Sequence, residues 1–316
     1  MEYEGIGLAW RWMRATAVAC VVVLAGCATQ PPVEVPPPPP VAPPTVPPVV
    51  APVVPPKPPR IGLALGGGAA RGFAHVGVIQ VLEEAGLKPD LVVGTSAGSL
   101  VATLYASGRS DKQLQQVAET MDEAAFTDWT LPLFNRGMLR GEALSRYVNA
   151  QVGNRLIEQM PLPLGIVATR LDTGEGVLFQ RGDTGTAVRA SSAVPAVFLP
   201  VKISGSDYVD GGLVAPVPVR YARQMGAELV IAVDISAAPE GNPAADPLQI
   251  LLQTFSIMSK SINRGELQLA DIVVRPALVG MGSADFTGKR QAIAAGRRAM
   301  QRMLPQLQAA IAAKSH

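Results

Sequence analysis

The sequence feature that most constrains the fold is a predicted strand, tight turn and helix at residues 91–105. Residues 91–93, Leu-Val-Val, are typical of a buried strand, residues 94–98 match G-x-S-x-G, and an apolar helical pattern follows at once. A serine on such a turn is a nucleophile elbow, in which small neighbours leave room for a strained serine backbone. The alternative is a glycine-rich turn with an incidental serine. The residues of the predicted elbow are Gly94, Thr95, Ser96, Ala97 and Gly98.

A second glycine-rich stretch precedes this turn. Residues 61–65, Ile-Gly-Leu-Ala-Leu, are typical of a buried strand, and residues 76–85 form an apolar helical pattern that Gly86 ends. Residues 66–72, Gly-Gly-Gly-Ala-Ala-Arg-Gly, form the loop between them. Followed by the strand at 91–93, this order predicts two parallel strands joined by a right-handed helical crossover.

Three functions are considered for this glycine loop. A phosphate-binding P-loop requires Gly-Lys-Ser or Gly-Lys-Thr at its end, whereas this loop ends in Gly72-Phe73. A dinucleotide-binding fingerprint requires an acidic residue after the second strand, where this chain has the predicted elbow. An oxyanion hole fits best, because consecutive small residues leave backbone N–H groups free to face a developing negative charge.

A serine nucleophile also requires a proton acceptor, for which the chain offers His75 and Asp210. His75 lies early in the helix after the glycine loop, which predicts a packing or loop-bracing role; a triad that uses His75 is the alternative. Asp210 ends a predicted strand at 207–210 and precedes Gly211 and Gly212, which allow close approach of substrate or backbone. Taken alone, this sequence is also that of a common Asp-Gly turn.

Composition excludes several classes of function. The net charge of +2 over 316 residues gives no electrostatic footprint for nucleic acid. The two cysteines, Cys20 and Cys27, both precede residue 28, so the rest of the chain has no internal disulfide and no cysteine-based metal site. The two histidines, His75 and His316, are too few for a histidine-rich metal centre. We therefore expect no nucleic-acid partner and no metal centre.

From residue 60 onward, predicted strands and helices alternate as in a single α/β domain. Ser110 predicts the start of a helix to Met121, and residues 126–138 form an irregular apolar segment that either covers a hydrophobic cleft or fills the core. We expect a three-layer α/β fold with a mostly parallel central sheet and helices on both faces. The other predicted elements are helices at 142–152, 187–191, 248–263 and 290–313, strands at 164–169, 177–180, 201–203, 208–209, 229–233 and 272–275, and a loop at 239–247.

The first residues resemble a bacterial lipoprotein signal. Arg11 and Arg14 precede an apolar run at 15–25, which has the length of a signal-peptide core and is short for a membrane span. The run ends in Leu-Ala-Gly before Cys27, which resembles the lipobox, where the chain is cut before a cysteine that is then acylated. The alternatives are an uncleaved membrane anchor and a plain secretory signal.

A proline-rich segment follows, with proline at 16 of the 29 positions from 31 to 59. Such a segment favours a semi-rigid polyproline II spacer. The alternative is a ligand for a proline-binding domain, although the interspersed residues are mostly valine rather than basic. We therefore divide the chain into a signal peptide at 1–26, an acylated cysteine and spacer at 27–59, and a folded domain at 60–316.

Taken in order, the glycine loop, the elbow and Asp210-Gly211-Gly212 resemble the patatin-like phospholipases, most closely the bacterial branch related to neuropathy target esterase. The resemblance covers nearly all of residues 60–300 and includes Ala-Ser-Ser-Ala-Val-Pro at 190–195 and Asp-Phe at 285–286. It implies a patatin-like fold and a Ser–Asp dyad, matched by Ser96 and Asp210. It also implies an oxyanion loop made of Gly66, Gly67, Gly68, Ala69, Arg71 and Gly72, with the donors assigned to Gly67, Gly68 and Ala69 and with Arg71 supporting them.

The resemblance implies a membrane-tethered serine hydrolase that cleaves carboxylic esters of phospholipids or lysophospholipids without a metal or cofactor. In this interpretation Ser96 attacks the ester carbonyl and Asp210 accepts the serine proton. Two alternatives remain, an acyltransferase with the same dyad and a non-catalytic lipid-binding lipoprotein. Residue 28 is Ala rather than Asp, which resembles lipoproteins anchored in the outer membrane; we therefore expect a location in the bacterial cell envelope, facing the periplasm.

We predict that Cys27→Ala blocks acylation and releases the protein from membranes, because stable anchoring depends on the attached acyl chains. Partition between membrane and soluble fractions after cell lysis measures this. The glycine loop, the elbow and Asp210 all lie beyond residue 60, so esterase activity per molecule should be unchanged. Processed Cys27→Ala protein that remains in the membrane fraction would contradict the lipoprotein prediction.

Overall fold

The computed structural model describes residues 57–121, 128, 137–240, 245–282 and 285–315. The predicted signal peptide and nearly all of the predicted spacer lie outside the described residues, as does most of the segment at 126–138. Within the described ranges, every helix is too short or too polar to span a bilayer.

The elements largely follow the predicted alternation of strands and helices. They begin with β1 (Ile61–Leu65), α1 (Phe73–Glu84), β2 (Leu91–Thr95), α2 (Ala97–Ala106), α3 (Asp111–Thr120), β3 (Gly137–Leu139) and α4 (Glu142–Gln151). They continue with β4 (Leu164–Arg170), β5 (Gly176–Phe179), α5 (Thr184–Ser191), β6 (Ala196–Phe198), β7 (Val201–Ile203) and β8 (Ser206–Asp210). The last are α6 (Val219–Gln224), β9 (Leu229–Val233), α7 (Pro247–Glu266), β10 (Ile272–Val274) and α8 (Lys289–Lys314).

A mixed sheet forms the centre of the domain. Strands β10, β9, β1, β2 and β4 run parallel in this spatial order. Strand β5 lies antiparallel along one edge of β4. Along the other edge, β2 pairs with the first part of β4 and β8 pairs antiparallel with the last part, so that Thr95 is opposite Val167 and Asp210 is opposite Ala168. Strands β2 and β8 therefore run toward each other and meet at their C-terminal ends.

Helices cover both faces of this sheet. Side chains alternate between the two faces of a strand, so Leu63 and Leu65 of β1 pack with α1, α2 and α8, whereas Ala64 packs with α6 on the opposite face. The parallel strands are apolar and buried on both faces, as expected of a sheet between two helical layers. The predicted three-layer, mostly parallel α/β fold is confirmed.

Three short elements were missed by the sequence-based assignment. Strands β3 and β6 have three residues each and pair only with one another within the described residues, so neither shows enough alternation to identify a strand. Helix α6 has six residues, fewer than the window over which helical periodicity is measured. Helix α5 begins at Thr184, earlier than predicted, because the Asp183 side chain accepts a hydrogen bond from the Thr186 N–H and caps it.

The two glycines of G-x-S-x-G allow α2 to lie directly against the sheet. A Cβ atom at Gly98 would lie 2.1 Å from the carbonyl oxygen of Leu65, and one at Gly94 would lie 2.3 Å from the carbonyl oxygen of Gly98. Both distances are far below a van der Waals contact. The turn that carries Ser96 is therefore compact because Gly94 and Gly98, two positions before and after it, have no side chains.

We predict that Gly98→Ala lowers the free energy of unfolding by about 1–3 kcal/mol or more, because the added methyl overlaps β1 backbone that cannot move freely. Gly265→Ala is the matched control, since a Cβ there meets no atom within 4 Å and alanine favours a helix by up to about 1 kcal/mol. Urea unfolding followed by circular dichroism compares both variants with the natural protein. Equal stability of Gly98→Ala and the natural protein would contradict the close approach of α2 and β1.

Candidate active site

Ser96 lies between β2 and α2 in a strained backbone conformation, with φ 53° and ψ −125°. A non-glycine residue at positive φ requires support from its surroundings. The Ser96 N–H donates a hydrogen bond of 2.9 Å to Ser191 Oγ, and the Ser191 hydroxyl donates one of 2.5 Å to the Val167 carbonyl. Ser191 thus ties the strained residue to β4, so a residue distant in the sequence supports the backbone conformation at Ser96.

Asp210 is held at the end of β8 by backbone and side-chain contacts. Its N–H donates to the Ala193 carbonyl at 3.0 Å, and its carbonyl accepts a 2.8 Å hydrogen bond from the Thr169 hydroxyl. The Gly212 N–H donates to Asp210 Oδ1 at 2.7 Å, which fixes the rotation of the carboxyl group. A Cβ at Gly211 would lie 2.2 Å from the Val167 carbonyl, so this glycine lets the chain turn close to β4.

The Asp210 carboxyl is an unusually strong base for an aspartate. Burial raises its pKa from 3.8 to about 6, and the Gly212 N–H and the Ser96 hydroxyl, which favour the charged form, offset this only in part. A pKa close to neutral improves proton acceptance while leaving the group ionised at pH 7. The structure thus brings Ser96 and Asp210 together in one cleft, with the carboxyl in a state suited to accept a proton.

The glycine loop separates into residues that make room and residues whose N–H groups are free. The Gly66 N–H donates to the Val233 carbonyl at 3.0 Å, and the Gly67 N–H donates to the Pro216 carbonyl at 2.9 Å. The assignment of Gly67 as an oxyanion donor is therefore wrong, since its N–H is already engaged. The N–H groups of Gly68 and Ala69 have no acceptor among the described residues, and both residues line the cleft with Ser96.

Gly67 and Gly72 leave room for the turn at Ser96 because they have no side chains. A Cβ at Gly67 would lie 3.1 Å from the Ser96 Cβ, and one at Gly72 would lie 3.0 Å from the Ala97 Cβ. Either side chain would crowd the turn that carries Ser96. Ala69 adopts φ 50°, a second strained non-glycine conformation in this loop.

Arg71 is the charged residue of the glycine loop and contributes to the lining of the cleft. It lines the same cavity as Ser96, its Nε is buried without a hydrogen-bond partner, and its side chain donates no hydrogen bond to a carbonyl of the described residues. Burial lowers the pKa of Arg71, and the Asp234 carboxylate partly offsets this effect. Within the described residues, the Arg71 guanidinium therefore makes none of the hydrogen bonds to the loop that its predicted supporting role requires.

His75 performs the loop-bracing role. It is fully buried, and its Nε2 lies 2.8 Å from the Gly66 carbonyl oxygen, to which the neutral ring donates. Burial lowers the pKa of His75 to about 4, so the ring is neutral at physiological pH. The loop-bracing prediction is confirmed, and its Nε2 is occupied by the loop.

Ser96 lies where two cavities meet. A cleft of about 420 Å³ is lined by Asp210, Arg71 and part of α7, and by Gly68 and Ala69, whose N–H groups are free. An apolar pocket of about 190 Å³ extends along α2. The residues common to both cavities are Ala69, Ser96 and Val194. In the described part of the chain, His, Cys, Asp and Glu residues form no group of three suited to a metal ion.

Sequence reasoning missed the function of Ser191. The segment at 190–195 was noted only as part of the family resemblance, and no role followed from its residue types. Its hydroxyl contacts a strand and a turn that precede it by 24 and 95 residues, respectively. A small hydroxyl residue at the end of a short helix carries no local signal for such contacts.

We predict that Asp210→Asn raises the free energy of unfolding at pH 7.5. The pKa of the Asp210 carboxyl is about 6 in the folded protein and lies near 4 in the unfolded chain. As the pH rises from about 4 to above 6, this difference in pKa lowers the free energy of unfolding by at most about 3 kcal/mol. A neutral asparagine avoids this loss. Urea unfolding at pH 4 and 7.5 measures this. The gain should be present at pH 7.5 and absent at pH 4, where the natural carboxyl is protonated. An equal effect at both pH values would contradict a buried charge at Asp210.

Comparison with known proteins gives independent evidence for the family to which this chain belongs. The Patatin-like phospholipase family model matches residues 63–223. An uncharacterized NTE family protein of Mycobacterium tuberculosis is 39% identical over 189 residues, which cover 60% of this chain and 52% of that protein. Patatin-like phospholipase domain-containing protein 6 of Mus musculus is 35% identical over 188 residues, which cover 57% of this chain and 14% of that protein. The chain therefore spans about half the length of the mycobacterial relative, and less of the mouse protein.

The solved structure of VipD from Legionella pneumophila matches with a TM-score of 0.55 and 15% identity, over 79% of this chain and 67% of that chain. At this identity the likeness supports the fold alone. The family model covers more than half of the chain and includes the glycine loop, the elbow and Asp210. This chain belongs to the patatin-like phospholipase family.

Proposed function

We propose that this protein is a serine hydrolase that cleaves carboxylic esters of phospholipids or lysophospholipids through Ser96 and Asp210. The observation that carries the proposal is the arrangement at one cleft of a strained serine, a buried carboxyl with a raised pKa, and two free backbone N–H groups. Family membership supports a lipid ester as the substrate. The apolar pocket beside the serine is consistent with such a substrate.

In the first half of the reaction, Ser96 Oγ attacks the ester carbonyl carbon while Asp210 takes the hydroxyl proton. The carbonyl oxygen becomes negatively charged and accepts hydrogen bonds from the Gly68 and Ala69 N–H groups. The bond from the carbonyl carbon to the alcohol oxygen then breaks, and Asp210 returns its proton to that oxygen. The products of this half are an acyl-serine and a free alcohol.

In the second half, water attacks the acyl-serine carbonyl and gives its proton to Asp210. The same two N–H groups stabilise the oxyanion. The bond to Ser96 Oγ breaks, the serine oxygen recovers the proton from Asp210, and a free fatty acid leaves. Asp210 thus acts as base and acid in turn, which is possible because its pKa lies near the working pH.

We further propose that the domain is tethered through acylated Cys27 and the proline-rich segment to the bacterial cell envelope, most specifically to the outer membrane on its periplasmic side. The support comes from the sequence alone: the apolar run before Cys27, the small residues that precede the cysteine, and Ala at position 28. Anchoring would keep the catalytic domain close to a lipid surface.

We predict that Ser96→Ala and Asp210→Asn each lower hydrolysis of a defined lipid panel by at least about 100-fold, as expected from loss of a nucleophile or general base. His75→Ala should retain activity within about tenfold, since it acts on the loop through Gly66. In the natural protein, kcat/KM should rise as Asp210 loses its proton near pH 6 and should then level off. Fatty-acid release measured against pH provides each value.

The controls separate the possible failures. Circular dichroism shows whether each variant is folded, and a fluorophosphonate probe should label the natural protein but not Ser96→Ala. If the His75→Ala variant is folded but as inactive as Ser96→Ala, the assignment of a Ser96–Asp210 dyad is wrong. Acyl transfer to added lysolipid at the expense of free fatty acid would identify an acyltransferase, and absence of both labelling and turnover would identify a binding protein.

A further inference from the structure

The apolar pocket beside Ser96 follows helix α2. Because a helix rises about 1.5 Å per residue, its lining face extends for about 10 Å beyond the serine. Four α2 residues line the pocket, separated by three, one and three positions, a spacing that places them on one face of the helix. They are Ala97, Leu100, Val101 and Leu104.

Helix α3 also contributes to the wall of this pocket. Leu114 and Ala118 of α3 line the pocket together with Leu104, and all three are almost fully buried. Phe73 and Phe286 line the same pocket and contact each other edge to face, with ring centroids 5.9 Å apart. These walls of the pocket are therefore made of packed apolar side chains rather than of open surface.

The two cavities at Ser96 differ in chemistry. Among the described lining residues of the apolar pocket, the polar side chains are those of Ser96 and Ser192. The cleft, by contrast, presents Arg71, Asp210 and Gln249. An ester with one apolar and one polar side would place each side in a matching cavity, with its carbonyl at the serine.

We propose that the pocket along α2 is the subsite for the acyl chain of the substrate, and that Leu104, Leu114 and Ala118 limit the chain length it accepts. The inference rests on the proposed hydrolysis at Ser96. Since an apolar cavity of 150 Å³ holds benzene, 190 Å³ accommodates about eight carbons. The pocket holds a single alkyl chain, so any second chain and the head group of a phospholipid remain in the cleft.

The test is a series of p-nitrophenyl esters from acetate to palmitate, hydrolysed by the full-length protein. The natural protein should show kcat/KM increasing with chain length up to about eight carbons. Ala118→Leu adds three carbons to the pocket wall, so the preferred chain should become about three carbons shorter. The octanoate-to-acetate ratio of kcat/KM should fall at least tenfold. Ala150→Leu is the matched control, because Ala150 is exposed on α4 and should leave the ratio unchanged.

A second variant keeps the test decisive if Ala118→Leu does not fold. Leu104→Ala removes side-chain volume at the far end of the pocket and should move the preferred chain to longer esters. General destabilisation lowers turnover of all esters together, whereas the proposal requires shifts in opposite directions for the two variants. A folded Leu104→Ala that prefers the same chain length as the natural protein would overturn the acyl-chain assignment.

Failure of the proposed hydrolysis is a separate result. If the natural protein hydrolyses esters but neither variant shifts the preferred chain, the pocket assignment is wrong and the hydrolase assignment stands. If no ester is hydrolysed, the proposed function is wrong. Calorimetric binding of octanoate to the same proteins then decides the pocket: at least tenfold weaker binding by Ala118→Leu than by Ala150→Leu supports it, and equal binding overturns it.

Discussion

The candidate site depends on the pairing of two strands with a single edge of β4. Strand β2 occupies the first part of that edge and β8 the last part, running in the opposite direction, so that Ser96 and Asp210 meet although 114 residues separate them. A shift of β8 by one residue would turn the carboxyl to the other face of the sheet. The Asp210 carbonyl accepts a hydrogen bond from Thr169, and the Asp210 N–H donates one to Ala193. These bonds hold β8 in the register that brings Asp210 to Ser96.

The same region concentrates features that are unfavourable in isolation. Ser96 and Ala69 have positive φ angles, and Asp210 carries a charge in a buried environment. Ser96 and Asp210 are supported by specific neighbours, namely Ser191 at the elbow and Gly212 at the carboxyl. Strain and burial of this kind are common where a site is organised for reaction rather than for stability. The elbow and the carboxyl are thus costly features that the surrounding contacts hold in one arrangement.

The glycines near the site look alike in the sequence but have different physical roles. Gly94 and Gly98 let helix and strand backbones approach, as the short distances to an added Cβ show. Gly67 leaves space for Ser96 while its N–H bonds to Pro216. Gly68, with Ala69, leaves an N–H group free toward the cleft. Among the loop residues that line the cleft, Gly68 and Ala69 are the ones whose N–H groups have no acceptor in the described part of the chain, although the whole loop matches the family motif.

The sequence by itself determined the features whose causes are local. Alternating apolar strands and helices predicted the three-layer fold, and small residues around Ser96 predicted the elbow, because turn geometry depends on immediate neighbours. Strands β3 and β6 and helix α6 were not predicted, since three to six residues carry little periodicity, although the equally short strands β7 and β10 were predicted. Only the tertiary structure decided which loop N–H groups are free, how Ser191 supports Ser96, and how strongly Asp210 is buried. These properties depend on atoms brought together from distant parts of the chain by strand pairing, and no local pattern records that pairing.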